Sequence, residues 1–326
     1  MCNTDRVELA ELAQQLIRAV RGRRTQEAFS RRIGCRSNVL YTWESGRRFP
    51  TARRFFEVAE RAGVDTSKAL RSFLRSEPEW LSGKRLLQEG GVERLLEELQ
   101  GNRSISDLAR ATGKSRFAVA RWLSGQTQPR LPDFLSLVEA TSYRLLDFVA
   151  ALVDPEQVPV LRPGWRALMA ARQAAYTSPW CHAVLRLLET ERMAALPRIS
   201  DADIAAELGL SIVEARAALE LLEATGQIER EDGRWQVKQT LNVDLASDPE
   251  AVQRLKAWAA ELGLRRITSG SEGLYSYNLF CVSEADYQKL QGLHRAYFRQ
   301  LRAIVAESTP SERVVMANLQ LFSLSR

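Results

Sequence analysis

The sequence predicts a mainly α chain: two tandem copies of one small helical domain, then a helix–turn–helix–hairpin segment, then a small α/β C-terminal region. Three observations carry that prediction. One register shift of 79 residues superposes the first quarter of the chain on the second. Apolar residues in both copies recur at helical spacing, and the later part alternates apolar and polar residues in two short runs. A length of 326 residues suits two to three domains of about 100–200 residues each.

The repeat maps Gly34 to Gly113, Trp43 to Trp122, Ser45-Gly46 to Ser124-Gly125 and Pro50 to Pro129. Apolar positions follow: Phe29 to Leu108, Leu40 to Val119, Phe55 to Phe134, Val58 to Leu137. In copy one, Leu9, Leu12, Ala13, Leu16, Ile17 and Val20 form one helical face that ends at Gly22. Thr25 caps a short helix with Ala28, Phe29 and Ile33 inward. Gly34 supplies a turn needing positive φ. A second short helix runs from about Ser37 to Ser45 and stops at Gly46. Phe55, Phe56, Val58 and Ala59 belong to the helix after Pro50. Two short helices about a glycine turn follow the helix-turn-helix plan.

The string TQEAFSRRIGCRSNVLYTWESGRRFP resembles the helix-turn-helix of phage-repressor and xenobiotic-response-element (XRE) regulators, through Thr25-Gln26, Gly34, Glu44, Gly46 and Pro50. The likeness covers about residues 8–65. It implies that the second helix enters the major groove with its N-terminal residues against base edges. Those residues are Arg36, Ser37, Asn38 and Thr42. Asn can bond an adenine edge twice, and Arg a guanine edge. The resemblance gives Gln26 a phosphate contact and puts Arg47 and Arg48 near the backbone. Copy two, SISDLARATGKSRFAVARWLSGQTQP, departs from the pattern at Ser104, Ile105 and Leu123. Its matched face carries Lys114, Ser115, Arg116, Phe117 and Arg121. Two readings stand for it, phosphate contact or a packing and dimerisation role. Trp43 and Trp122 sit inward on their helices and read as core residues, with base stacking the weaker alternative.

Charge agrees with the first copy's reading. The net charge is +6. Residues 1–65 hold 13 cations and 8 anions, residues 66–153 hold 13 and 10, and residues 154–326 hold 20 and 22. The surplus lies entirely in the front, which suits a polyanion. Residues 18–54 alone contain eleven Arg against Glu27 and Glu44.

Behind the repeat, Pro155, Pro159 and Pro163 mark a linker. Ser200 then caps a helix through Ile204 and Leu208, Gly209 turns the chain, and Ser211 opens a helix closed by Gly226. Residues 227–237 alternate about Asp232-Gly233, a hairpin signal. That order is a winged helix. Its second helix carries Glu214, Glu220 and Glu223 against Arg216, which suits a structural or dimerising role. Tyr275 to Cys281 and Val315 to Leu321 alternate as strands, and between them Ser283 and Asp286 cap a helix of about 24 residues. From 180 to 326 the chain resembles an uncharacterised C-terminal domain of bacterial transcription regulators, on its long helix and the closing SERVVMANLQLFSLSR. The boundaries read 1–78, 79–152, a linker 153–178, a winged-helix-like 179–240, and an α/β region 241–326 that dimerises or senses a signal.

Several classes drop out. No run of about 18 apolar residues spans a membrane, and the first residues lack a secretory apolar core. Cys2, Cys35, Cys181 and Cys281 lack metal or disulfide spacing, and two His residues make no metal site. Cys181-His182 are neighbours about 100° apart on a helix, so they form no dyad. His294 reads as a core or interface residue, with a ligand or proton site the alternative. The expectation is a cytoplasmic, non-enzymatic, cofactor-free and metal-free transcription regulator that binds double-stranded DNA and forms a homodimer through its C-terminal half, with an unknown effector. A second expectation is an antitoxin-like module whose helical copies bind a protein.

Overall fold

The computed structural model describes residues 8–35, 37–74, 78–81, 85–88, 90–101, 103–231, 233–238 and 249–324; for Ser37, Asn38, Glu79 and Arg85 the backbone alone is described. They fall into two compact units, within residues 5–166 and 167–326. Both are mainly helical, and among the described residues no helix is long and apolar enough to cross a membrane.

The first unit holds ten helices among its described residues before its last turn: α1 Leu9–Arg21, α2 Gln26–Ile33, α3 Ser37–Glu44, α4 Ala52–Ala62, α5 Thr66–Leu74, then α6 Gly91–Gln100, α7 Ile105–Thr112, α8 Arg116–Leu123, α9 Leu131–Ser142 and α10 Leu145–Leu152. The 79-residue shift carries α2 and α3 onto α7 and α8 without a slip, and starts α9 and α10 where α4 and α5 predict. The chemistry of the ends repeats too. Thr25 Oγ1 accepts from the Ala28 amide at 3.2 Å, and its equivalent Ser104 Oγ accepts from Asp107 at 3.1 Å. Each such cap stabilises its helix by about 1 kcal/mol. Gly34 and Gly113 both turn the chain at φ 67°. At Gly46 and Gly125, both at φ 73°, a side chain would strike Gln14 and Glu93, which are themselves equivalent residues of α1 and α6.

Helices of eight residues do not stand alone in water, so packing holds them. Leu12, Ala13, Leu16, Ile17 and Val20 of α1 are all buried, as are Val92, Leu95, Leu96 and Leu99 of α6. Both copies feed one core. It runs without a break from Leu12 through Phe29, Phe56 and Leu95 to Phe134, Phe148 and Leu161, and a small satellite of Leu108, Ala109, Val119 and Ala140 belongs to copy two. Rings link the copies: Phe56 meets Phe134 edge-on at 5.6 Å, Phe134 meets Phe148 at 5.7 Å, and Phe148 meets Phe73 at 5.3 Å. The domains expected at 1–78 and 79–152 are therefore one packed unit. Backbone joins them as well. Ala52 N–H donates to Pro129 O and Leu131 N–H to Pro50 O, each at 2.9 Å, around an antiparallel bridge of Thr51 with Arg130.

The stretch 153–178, expected as a linker, is ordered structure. A 3₁₀ turn at Pro155–Gln157 is capped by Asp154, and α11 spans Arg162–Thr177. Pro163 sits in the first turn of α11, where its missing N–H costs nothing. Val158 and Leu161 are buried in the first unit's core.

The second unit continues with α12 Trp180–Leu188, α13 Glu191–Ala194, α14 Asp201–Leu208 and α15 Ile212–Ala224. Strands β1 Ile228–Glu231 and β2 Arg234–Val237 pair antiparallel in the register Ile228 with Val237 and Glu231 with Arg234. Full capping boxes start α14 (Ser200 with Asp203) and α15 (Ser211 with Glu214). The core gathers Val184, Leu185, Met193, Ile204, Ala215, Leu219, Leu222 and Ile228. Then follow α16 Pro249–Thr268 and the 24-residue α17 Glu284–Glu307, capped by Ser283 as its sequence predicts. Trp258 of α16 packs edge-on against Trp180 at 4.9 Å.

The expected α/β character of 241–326 is corrected. The described residues there hold two helices and no strand. Residues 275–281 and 315–321 alternate as strands would, yet Tyr277, Leu279, Val315 and Leu319 are exposed. Alternation prescribes a two-faced segment, and a strand also needs a neighbour to take its ladder bonds.

Candidate nucleic-acid interface

The glycine turn at Gly34 sets α3 across α2, and a buried polar cluster fixes the pair. Glu44, at the end of α3, is only 4% exposed. Arg21 of α1 reaches its carboxylate at 2.6 and 3.3 Å, and Gln26 at the start of α2 donates Nε2 to Glu44 Oε2 at 2.7 Å. Arg18 donates to the Glu44 carbonyl at 2.6 Å. Three helices thus meet on one carboxylate. Gln26 keeps one N–H of its amide and its oxygen for a further partner.

The same place in copy two is uncharged. Arg21, Gln26 and Glu44 become Gln100, Ile105 and Leu123. Ile105 and Leu123 pack on the satellite core. All three members differ together, because a buried charge without its partner is far costlier than an uncharged replacement of the whole set.

Leu40 and Trp43 point inward, Trp43 at 7% exposure, so Trp43 is a core residue. Trp122 is half-buried against the core of copy two. The opposite face of α3 turns outward. Arg36 and the side chains of Ser37 and Asn38 lie outside the described residues. Thr42 is half-buried and its hydroxyl donates to Val39 O at 2.7 Å, which leaves the oxygen able to accept from a further partner. Tyr41 is exposed, and the Arg47 guanidinium lies 5.4 Å from its ring centre. Sequence reasoning missed Tyr41. It stands four residues after Ser37 and three after Asn38, and helical spacing alone places all three on one face. Arg47 and Arg48 are exposed.

Many of the eleven arginines in 18–54 serve the fold. Arg18 and Arg21 hold Glu44, while Arg53 and Arg54 pair with Glu57 at 3.3 and 2.8 Å, just beyond that window. Arg54 also donates to Ile33 O at 3.1 Å, closing the end of α2. Among the described residues of this window, Arg23, Arg24, Arg32, Arg47 and Arg48 are exposed and have no anionic partner, and Arg32 is held on the Arg61 carbonyl.

In copy two, Ser115 is the N-cap of α8 and its oxygen accepts from the Ala118 amide at 3.2 Å. Its hydroxyl hydrogen remains free to donate. Lys114 is paired with Asp133 at 2.6 Å, which reduces its value as a phosphate contact. Arg116 and Arg121 are exposed and, among the described residues, have no anionic partner. Phe117 is 84% exposed in the first turn of α8. The Ser104 hydroxyl holds the Asp107 carboxyl below the usual carboxylate range, so α7 starts on an anion.

Cys181 and His182 do not compete with this face. Burial pushes the Cys181 thiol up to about 11 and the His182 imidazole down to about 4, so both are neutral at pH 7. A thiolate–imidazolium pair needs the reverse. Among the described residues, no group of three His, Cys, Asp or Glu side chains could hold a metal ion.

No curated protein and no solved structure matches the chain. One family does match over part of it. Its start falls within α11, and it takes in nearly all of the second unit. Residues 164–324 match the model of DUF4423, a domain of unknown function.

Proposed function

We propose that the chain is a sequence-specific DNA-binding transcription regulator whose first copy is a helix-turn-helix that reads the major groove with α3. One observation carries the reading. Tyr41, Thr42, Arg47 and Arg48 line the outward side of α3 and the loop after it, and the two cations there have no anionic partner among the described residues, whereas the arginines beneath are tied into the fold. Cations left free beside an outward helix face suit phosphates flanking a groove. Gln26 supplies a phosphate contact with the amide hydrogen that Glu44 leaves free. In copy two, Arg116 and Arg121 flank Phe117, whose ring suits a thymine methyl.

In the second unit, α12, α14, α15 and the hairpin follow the order of a winged helix. Its α15 is acidic, so we assign it a structural role. The homodimer is assigned to the C-terminal part. α17 buries no residue, and Leu293, Ile304 and Val305 are at least 64% exposed. An apolar face of that size marks an interaction site.

A second reading rests on Phe117: a protein partner could cover so exposed a ring. Enrichment from a randomised duplex pool by the full chain decides between them. The DNA reading predicts one enriched motif that the full chain binds in preference to shuffled duplex. A flat pool after repeated rounds refutes it and leaves the protein-partner reading.

A further inference from the structure

We infer that the two copies form a dimer built into one chain, so that a single molecule reads two unlike half-sites about one helical turn apart. The inference rests on the DNA-binding reading above and adds the form of the site. Its first support is the bridge. Ala52 donates to Pro129 O, and the equivalent of Ala52, Leu131, donates to Pro50 O, the equivalent of Pro129. Exchanging the copies reproduces the same pair of 2.9 Å bonds. An antiparallel pair that exchanges both bonds has a local two-fold axis at its centre, here between Thr51 and Arg130. Equivalent helices meet around the same axis: α5 packs on α10, and α4 on α9. The shared core fixes the arrangement, so the copies cannot turn independently.

Chain reach then limits the spacing. Arg48 N–H donates to Thr42 O and Thr127 N–H to Arg121 O, each at 3.1 Å, so each reader folds back to three residues from the bridge. At about 3.5 Å per residue those three add at most about 11 Å, so Thr42 and Arg121 lie within about 40 Å of each other. Half-sites one turn apart need about 34–36 Å, and two turns need about 70 Å. Only the one-turn spacing is within reach.

The two readers differ. Position 42 of α3 is Thr and its equivalent in α8 is Arg121; position 38 is Asn and its equivalent is Phe117. A two-fold pair of identical helices reads a palindrome, whereas this pair reads an asymmetric site and lands on it in one direction. Pairing of chains through α17 would double the number of such sites per assembly without making either one symmetric.

The test uses the full chain and duplexes enriched from a randomised pool. Base preference is then measured for Thr42→Ala and Arg121→Ala, two exposed or half-exposed changes whose folding is checked by thermal melting. We expect two unlike halves centred about 10 base pairs apart. Thr42→Ala should lose about tenfold discrimination in one half only, and Arg121→Ala about tenfold in the other half only. A palindrome whose halves both respond to Thr42→Ala and neither to Arg121→Ala would overturn the inference while leaving DNA binding in place. Failure to enrich any duplex would overturn DNA binding itself, and the inference with it.

Discussion

Replacing Glu44 by Leu should destabilise the first unit, and adding Arg21→Gln and Gln26→Ile should recover most of the loss. The perturbation copies into copy one what copy two already contains, since Gln100, Ile105 and Leu123 occupy the equivalent places. In the native cluster Glu44 accepts from Arg21 at 2.6 and 3.3 Å and from Gln26 at 2.7 Å. Removing only the carboxylate strands a guanidinium whose side chain is 21% exposed and an amide beneath it. Breaking a buried ion pair costs about 3–5 kcal/mol, and the partial exposure of Arg21 brings this one below that range, to about 2–3 kcal/mol. Replacing the whole set by residues that pack is about neutral, or stabilising by as much as about 1–4 kcal/mol. Urea unfolding of the full chain, followed by far-ultraviolet circular dichroism, measures the transition midpoint of each variant. Glu44→Leu should fall well below wild type, and the triple variant should return to within about 1 kcal/mol of it. If the triple variant is as unstable as the single one, the three residues are not a coupled unit and the account of their joint exchange is wrong.

Four further outcomes follow from the same structure. A fragment of residues 1–78 should lack cooperative unfolding, because Phe56, Pro50 and α5 lose Phe134, Leu131 and Phe148; a sharp melt of that fragment would contradict the shared core. His182 is neutral when folded with its pKa near 4, whereas unfolded histidine titrates near 6.5. Between those values the unfolded chain binds the extra proton, so the second unit should lose stability as pH falls from 6.5 toward 4, by about 3 kcal/mol in all, and His182→Gln should flatten that slope of melting temperature against pH; parallel slopes would refute the assignment. Light scattering should find the full chain dimeric, and Ile304→Asp with Val305→Asp should make it monomeric; an unchanged mass would remove α17 from the interface. Asn38→Ala should relax preference at one operator position by about 1–3 kcal/mol, measured by competition between single-base variants of the enriched duplex, and unchanged discrimination would mean that α3 meets the groove in another register.

The repeat was legible in the sequence because it is written twice. One offset aligned glycines, tryptophans and prolines, and the caps at Thr25, Ser200 and Ser283 fixed three helix starts that the structure shares. What a single window could not show was tertiary. The pairing of Gln26 with Glu44 joins residues 18 apart, and only packing reveals that the amide is half engaged. Reading the copies as separate domains missed the Pro50–Leu131 and Ala52–Pro129 bonds, since nothing local announces partners 81 and 77 residues away. Pro163 read as a break because proline ends helices more often than it opens them, yet it opens α11. The runs 275–281 and 315–321 show the converse. Their alternation is real, and the described chain offers them no adjacent strand.

The salt dependence of binding to the enriched duplex, compared between wild type and the Arg47→Ala, Arg48→Ala double variant, tests DNA binding by the first copy most directly. Each phosphate contact contributes about 0.9 to the slope of log affinity against log salt. With Arg47, Arg48 and Arg116 as phosphate contacts, the wild-type slope should be about −2.7, and the double variant should bind every sequence more weakly with a slope near −0.9. A slope near zero, or one that the double variant leaves unchanged, would contradict the account.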